Sequence, residues 1–149
     1  MESMKNKTLA TWLAFVGGPL GLHRFYLRGM SDLLGWLLPL PTVLGLYGVM
    51  RAQGIGLDDP WSWVLIPLLG FTIAGCALNA IIYGLMTPEK WNARFNPTAL
   101  KDAAPGRSNW FTIGAIALAL LIGTTILISS IVVSFQRYFE YQIEANHKT

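Results

Sequence analysis

From Trp110 to Phe135 the chain runs 26 residues without an acidic or basic side chain. As a helix, at about 1.5 Å per residue, that stretch is about 39 Å long, more than the roughly 30 Å hydrocarbon core of a bilayer. A second uncharged stretch runs from Pro60 to about Met86. Apolar residues gathered into blocks of this length, instead of recurring at amphipathic spacing, are how membrane segments read. Charged residues make up 13% of the chain and hydrophobic ones 53%, whereas a soluble domain carries about 25% charged residues. The expectation is an all-α integral membrane protein, multi-pass, lying in the cytoplasmic (inner) membrane if the chain is bacterial.

Four hydrophobic helical segments can be distinguished. The first, Thr8 to Leu22, reaches only about 22 Å unless its helix continues through His23 to Leu27, so it is short for a crossing. The second, Leu33 to Met50, carries Pro39 and Pro41, each of which removes a backbone donor, so a broken or sharply kinked helix is expected. The third has Asp59 as cap, Pro60 at its first position and Trp61 and Trp63 at headgroup level. The fourth has Ser108 or Asn109 as cap and Arg137, Tyr138 and Tyr141 at its far end. Residues 5–51 thus form one hairpin, and residues 60–136 supply two further spans. Between those spans, residues 87–97 read as a short helix in the interface, with Trp91 and Phe95 on one face, ended by Asn96 and Pro97. A solvated loop with two incidental aromatics is the alternative.

Small residues recur at helical spacing: Ala10, Ala14, Gly17 and Gly21; Gly70, Ala74, Ala77, Ala80 and Gly84; Ala115, Ala119 and Gly123, continuing to Ser130 and Ser134. Such faces let backbones approach where lipid gives no hydrophobic drive, either within one chain or between copies. Asn79 is the one strongly polar side chain deep in a span, and reads as a helix-packing residue facing the bundle.

Between the first two segments stands Gly17-Gly18-Pro19-Leu20-Gly21-Leu22-His23-Arg24-Phe25-Tyr26-Leu27-Arg28-Gly29. Its glycines allow a kink or a close approach, Phe25 and Tyr26 suit the headgroup level, and His23, Arg24 and Arg28 suit lipid phosphate or helix-terminal carbonyls. The run resembles the signature of the transmembrane-two domain family over about residues 5 to 51, with Gly18, Gly21, His23, Arg24, Phe25, Tyr26 and Leu27 matching. Pro19 stands where a small residue is usual, Arg28 displaces the following glycine to Gly29, and the acidic residue often found late in the second helix has no counterpart before Arg51. The resemblance implies a two-helix membrane hairpin of largely undefined biochemical role, here joined to two further spans. Two readings of the motif stand: a turn and interface anchor, or a recognition point at His23 and Arg24 for anionic lipid headgroups or a partner protein.

Residue chemistry points away from an enzyme. The two histidines, His23 and His147, are too far apart in sequence for ordinary metal-ligand spacing, and Cys76 is the only cysteine, so neither metal nor other cofactor is expected. Asp58 and Asp59 fit helix capping better than acid–base work, and Glu140 and Glu144 fit a solvated helix face. Gly54-Ile55-Gly56 lacks the third glycine and preceding strand of a nucleotide fingerprint, and Ser129, Ser130 and Ser134 have no base nearby in sequence. The net charge of +3 comes from cations scattered over termini and loops, which excludes a nucleic-acid stripe and suits membrane flanks.

With four spans, Lys5, Lys7, Arg51, Arg137 and Lys148 share one side, against Arg24, Arg28, Lys90, Arg94, Lys101 and Arg107 on the other. The cations between the third and fourth spans favour a cytoplasmic 87–109 loop and His23–Arg28 turn. The functional expectation is a non-enzymatic accessory or assembly component, working in the lipid bilayer through another membrane protein, self-association or lipid headgroups. A small homo-oligomeric channel or transporter, motivated by the proline break, is the alternative. A membrane enzyme acting on lipid through His23 and Arg24 ranks third.

Overall fold

A computed structural model of the chain describes residues 4–56, 58–101 and 103–147. The described residues are helical without strands: α1 (Lys7–Val16), a 3-10 turn (Gly18–Leu20), α2 (Leu22–Arg28), α3 (Leu33–Leu37), α4 (Pro39–Ile55), α5 (Pro60–Leu85), α6 (Pro88–Phe95), a second 3-10 turn (Ala104–Gly106) and α7 (Trp110–His147). Three stretches are long and apolar enough to cross a bilayer: Leu33–Ile55, Pro60–Leu85, and Ala104–His147, which is α7 with the turn before it.

The helix starts follow local chemistry. Asn6, Asp32, Asp59 and Thr87 each accept from a backbone N–H in the first turn of α1, α3, α5 and α6, and Asn109 accepts from the Thr112 N–H at the start of α7. The second block is interrupted only mildly. Leu38 keeps right-handed helical angles between α3 and α4, and the helix runs past Met50 to Ile55. The fourth block also exceeds its expected end at Phe135, because Gln136 to His147 contains no helix breaker and α7 continues through them.

The first block departs most from a crossing. Its helix stops at Val16 instead of continuing through His23, and the chain turns back on itself. The N–H of Asn6, at the start of α1, donates to Tyr26 Oη near the end of α2 (2.7 Å), so both ends of this hairpin lie at one level. The same level holds the end of α5 and the approach to α7, since Lys7 Nζ donates to Met86 O and to Ser108 Oγ, each at 2.7 Å. The hairpin's elbow reaches down to Cys76, against which Gly18 packs. At the elbow Gly21 has φ +76°, and its missing Cβ leaves room for the carbonyl oxygen of Gly35, so both the turn and the contact require glycine.

Small side chains set the packing. Ala14, Ala77, Ala80 and Ala119 form the buried seam where α1, α5 and α7 meet. Helices α5 and α7 run antiparallel in a constant register, with Gly70 on Ser130, Gly123 on Ala77 and Gly84 on Ile116. Gly45 and Gly48 do the same for α4, lying on Leu69 and Leu65 of α5. These seams are intramolecular, and they use most of the small-residue faces legible in sequence.

Candidate functional site

The two ends of the bundle differ. At the end of the bundle away from Met86 and Ser108, Arg51 grips Asp59 through Nε (2.9 Å) and Nη2 (2.7 Å), while Arg137 lies 3.6 Å from the exposed carboxylate of Asp58. The hydrogen bonds from Arg51 hold the Asp59 carboxyl well below the usual carboxylate range, with help from the Ser62 hydroxyl. Trp63 stacks on Tyr141 at this level.

The other end carries the motif and a denser polar layer. Trp91 of α6 is fully buried and donates its indole N–H to the Lys5 carbonyl (2.9 Å). Asn96 accepts from the Lys5 N–H (2.6 Å) and donates to its carbonyl (3.0 Å), pinning the start of the chain. Asn92 Nδ2 reaches the carbonyls of Leu100, Lys101 and Ala103, closing the 96–106 loop onto the helix. The expected helix over 87–97 is therefore present, but Trp91 and Phe95 pack with Tyr83 inside the protein. Helix α6 is a lid on the hairpin.

Each motif residue takes its own place around that lid. Gly18 and Gly21 make the elbow. Arg24 donates through Nε and Nη2 to both oxygens of Asp32, whose carboxyl is thereby held below its ordinary range; Asp32 also caps α3. The ring of Phe25 fills the space over Gly35 and lies 5.1 Å from Trp36. Tyr26 ties to Asn6, with the Lys5 ammonium 5.2 Å from its ring. Leu27 faces Lys5 and Asn96 along a shallow rim cleft. Arg28 is half exposed, 3.9 Å from Asp32, and of the motif's cations it is the one open to an outside phosphate.

His23 is the outlier. It is 1% exposed, and among the described residues neither ring nitrogen has a hydrogen-bond partner. Beside it runs a 210 Å³ cleft that is also lined by Arg24 and Asn79. Asn79, expected to join helices, instead donates to the Gly75 carbonyl of its own helix (3.2 Å), a bond within reach because the two lie one turn apart. Among the described residues no group of His, Cys, Asp and Glu is arranged to hold a metal.

Asp32 was the functional partner hardest to see in sequence. Its position one residue before an apolar run signals an N-cap, and its spacing of eight from Arg24 gives no pairing cue, because the glycine at 29 breaks the helix between them. Lys7 was similarly hidden: it reads as a flank, yet it is fully buried. No family model, curated protein or solved structure matches the chain.

Proposed function

We propose that the chain is a multi-pass membrane protein with three spans and a re-entrant N-terminal hairpin, and that it acts by binding as an accessory or assembly component of a membrane complex. The observation that carries this reading is the division of its surface. Polar side chains are drawn into clamps at the two ends, Arg24–Asp32 and Arg51–Asp59, while the faces between them expose large apolar groups such as Val43, Val64, Leu121 and Ile128. Exposed aromatics mark both borders, Trp110 and Phe111 at one and Trp61 and Tyr138 at the other. From Trp110 to Tyr138 is about 42 Å of helix, close to the 40–45 Å of a bilayer with its headgroups.

A re-entrant hairpin also redistributes charge. Lys5, Lys7, Arg24, Arg28, Lys90, Arg94, Lys101 and Arg107 then share one side, leaving Arg51 and Arg137 opposite, with Lys148 outside the described residues. The near balance of a four-span arrangement becomes a strong bias, which supports a cytoplasmic lid and motif. The two-helix unit at residues 5–51 keeps its resemblance to the transmembrane-two domain family as part of this proposal.

Lys7, Arg24, Arg51, Asn92 and Asn96 are occupied in holding the fold, which supports binding over chemistry; the proline break likewise supports no pore, since the Thr42 hydroxyl there donates to the Pro19 carbonyl at 2.8 Å. The available surface is lateral, including a 350 Å³ apolar cleft between α5 and α7 lined by Phe71, Leu78 and Leu127. Crosslinking in intact membranes, followed by detergent extraction and mass determination, tests the proposal. A complex with another membrane protein or a defined self-assembly is expected, and a monomer with no crosslinked neighbour refutes it. For orientation, cysteines replacing Met4, Met30 and Leu100 in a Cys76→Ser background should label with an impermeant reagent from one side, and Gly54→Cys from the other; opposite labelling of Met4 and Met30 refutes the re-entrant hairpin.

A further inference from the structure

We infer that the cleft beside His23 is a binding site for one glycerophospholipid of the surrounding bilayer, with the imidazole N–H donating to an acyl-ester carbonyl. The inference rests on the bilayer placement proposed above. Its starting point is the unsatisfied ring: leaving a buried polar group without a partner costs about 1–3 kcal/mol, so such groups call for an explanation. Among the described residues no hydrogen-bond partner reaches either ring nitrogen of His23, and its ring neighbour is Tyr83 at 6.1 Å.

The cleft it lines has the composition of a lipid site. Its walls are Leu34, Leu37 and Pro41, and Leu34 and Leu37 are 52% and 43% exposed, so the cleft opens sideways toward acyl chains. Its polar groups are His23, Asn79 and Arg24. Arg24 commits Nε and Nη2 to Asp32. At the rim stands the half-exposed Arg28.

Depth fits as well. His23 lies five positions before Arg28 in α2 and Asn79 lies six before Leu85 in α5, which sets both about 8–9 Å below the headgroup level at 1.5 Å per residue. The ester groups of a glycerophospholipid lie at that border between headgroup and hydrocarbon, about 5–8 Å inside the outer edge of the bilayer. The ring nitrogens are covered by neighbouring atoms, so donation to the lipid requires a rotation about the soft Cβ–Cγ torsion of His23 that turns an N–H into the cleft. The phosphate then meets Arg28 at the rim, and the acyl chain follows Leu34 and Leu37.

Native mass spectrometry of the full chain in mild detergent, with equimolar dioleoylphosphatidylglycerol and its ether-linked counterpart, tests the inference, because the ether lipid keeps headgroup and chains but lacks the carbonyls. Wild type should retain the ester lipid about fivefold more, the value of one net hydrogen bond. His23→Phe, which keeps a ring without an N–H, should lose that preference. Leu37→Trp, which fills the cleft from its exposed wall, should lower retention of both lipids without altering His23. Equal retention of the two lipids by wild type overturns the inference even if His23→Phe does not fold, as does retention that follows headgroup charge alone when phosphatidylethanolamine is substituted. A chain that stays soluble without detergent overturns the bilayer placement instead, so the two failures are distinguishable.

Discussion

Substituting Gly21 by alanine measures how far the elbow determines the hairpin. Gly21 has φ +76°, and an L-residue there costs about 1–2 kcal/mol of backbone strain. The new methyl also overlaps the carbonyl oxygen of Gly35, a backbone atom fixed within the first turns of α3, so relief requires displacing the α2–α3 contact. Overpacking of this kind costs about 1–3 kcal/mol, giving about 2–5 kcal/mol in all. Two controls separate these contributions. Gly29 has φ +86° and ψ 176°, an extended positive-φ conformation open essentially only to glycine, with open space around it, so Gly29→Ala reports backbone strain alone at about 1–3 kcal/mol. Gly75 is helical and unobstructed, so Gly75→Ala should stabilise by about 0.5–1 kcal/mol. Unfolding free energies from SDS titration in mixed micelles, followed by tryptophan fluorescence, give the three values. If Gly21→Ala destabilises by no more than about 1–2 kcal/mol, the cost of left-handed backbone strain alone, the close approach of the elbow to α3 is refuted.

Two other perturbations probe the ends of the bundle. Trp91→Ala removes the fully buried indole and its bond to Lys5, and should cost about 3–5 kcal/mol in the same titration; a loss under about 1 kcal/mol would mean that α6 is not a structural lid. The folded-state carboxyl of Asp59 is depressed, chiefly by Arg51, so its contribution to stability is complete above the ordinary carboxylate pKa of about 4 and disappears as pH falls through the lower folded value. Thermal stability in detergent should thus hold from pH 8 to about 5 and decline below about 4, and Asp59→Asn should flatten that acid limb; parallel curves for the two proteins would refute the role of the clamp.

The long elements were legible because their cause is local. Uncharged length identifies α5 and α7, and Asp59 and Thr87 announce the starts of α5 and α6 in the residues themselves. The end of the first helix at Val16 is illegible in sequence for a reason that is also physical. Thr8 to Leu22 has the hydropathy of a span, but Gly17, Gly18, Pro19 and Gly21 form a run whose hinge character depends on what packs there. Leu22 folds back on Gly17, Cys76 fills the space at Gly18 and the Gly35 carbonyl that at Gly21, contacts that hydropathy does not encode. The α4–α5 seam at Gly45 and Gly48 is hidden similarly, because Pro39 and Pro41 nearby suggest a break instead of a packing face.

For the candidate site, sequence identified the residues as a contiguous string, and the fold reveals different tasks within it. Five consecutive residues, His23 to Leu27, lie on barely more than one helical turn, so they point around the whole circumference of α2 and cannot converge on one ligand. Arg24 turns to Asp32, Phe25 to Gly35 and Trp36, and Tyr26 to Asn6, so most of the run secures the hairpin to α3 and to the start of the chain. Subtracting these structural tasks leaves Arg28, half exposed at the rim, and His23, buried with nothing to bond. The distinction matters for reading substitutions: changes at Arg24, Phe25 or Tyr26 should act through stability, whereas a change at His23 removes a polar group without a hydrogen-bond partner among the described residues. A loss of activity after altering the motif is thus informative about binding only at those two positions.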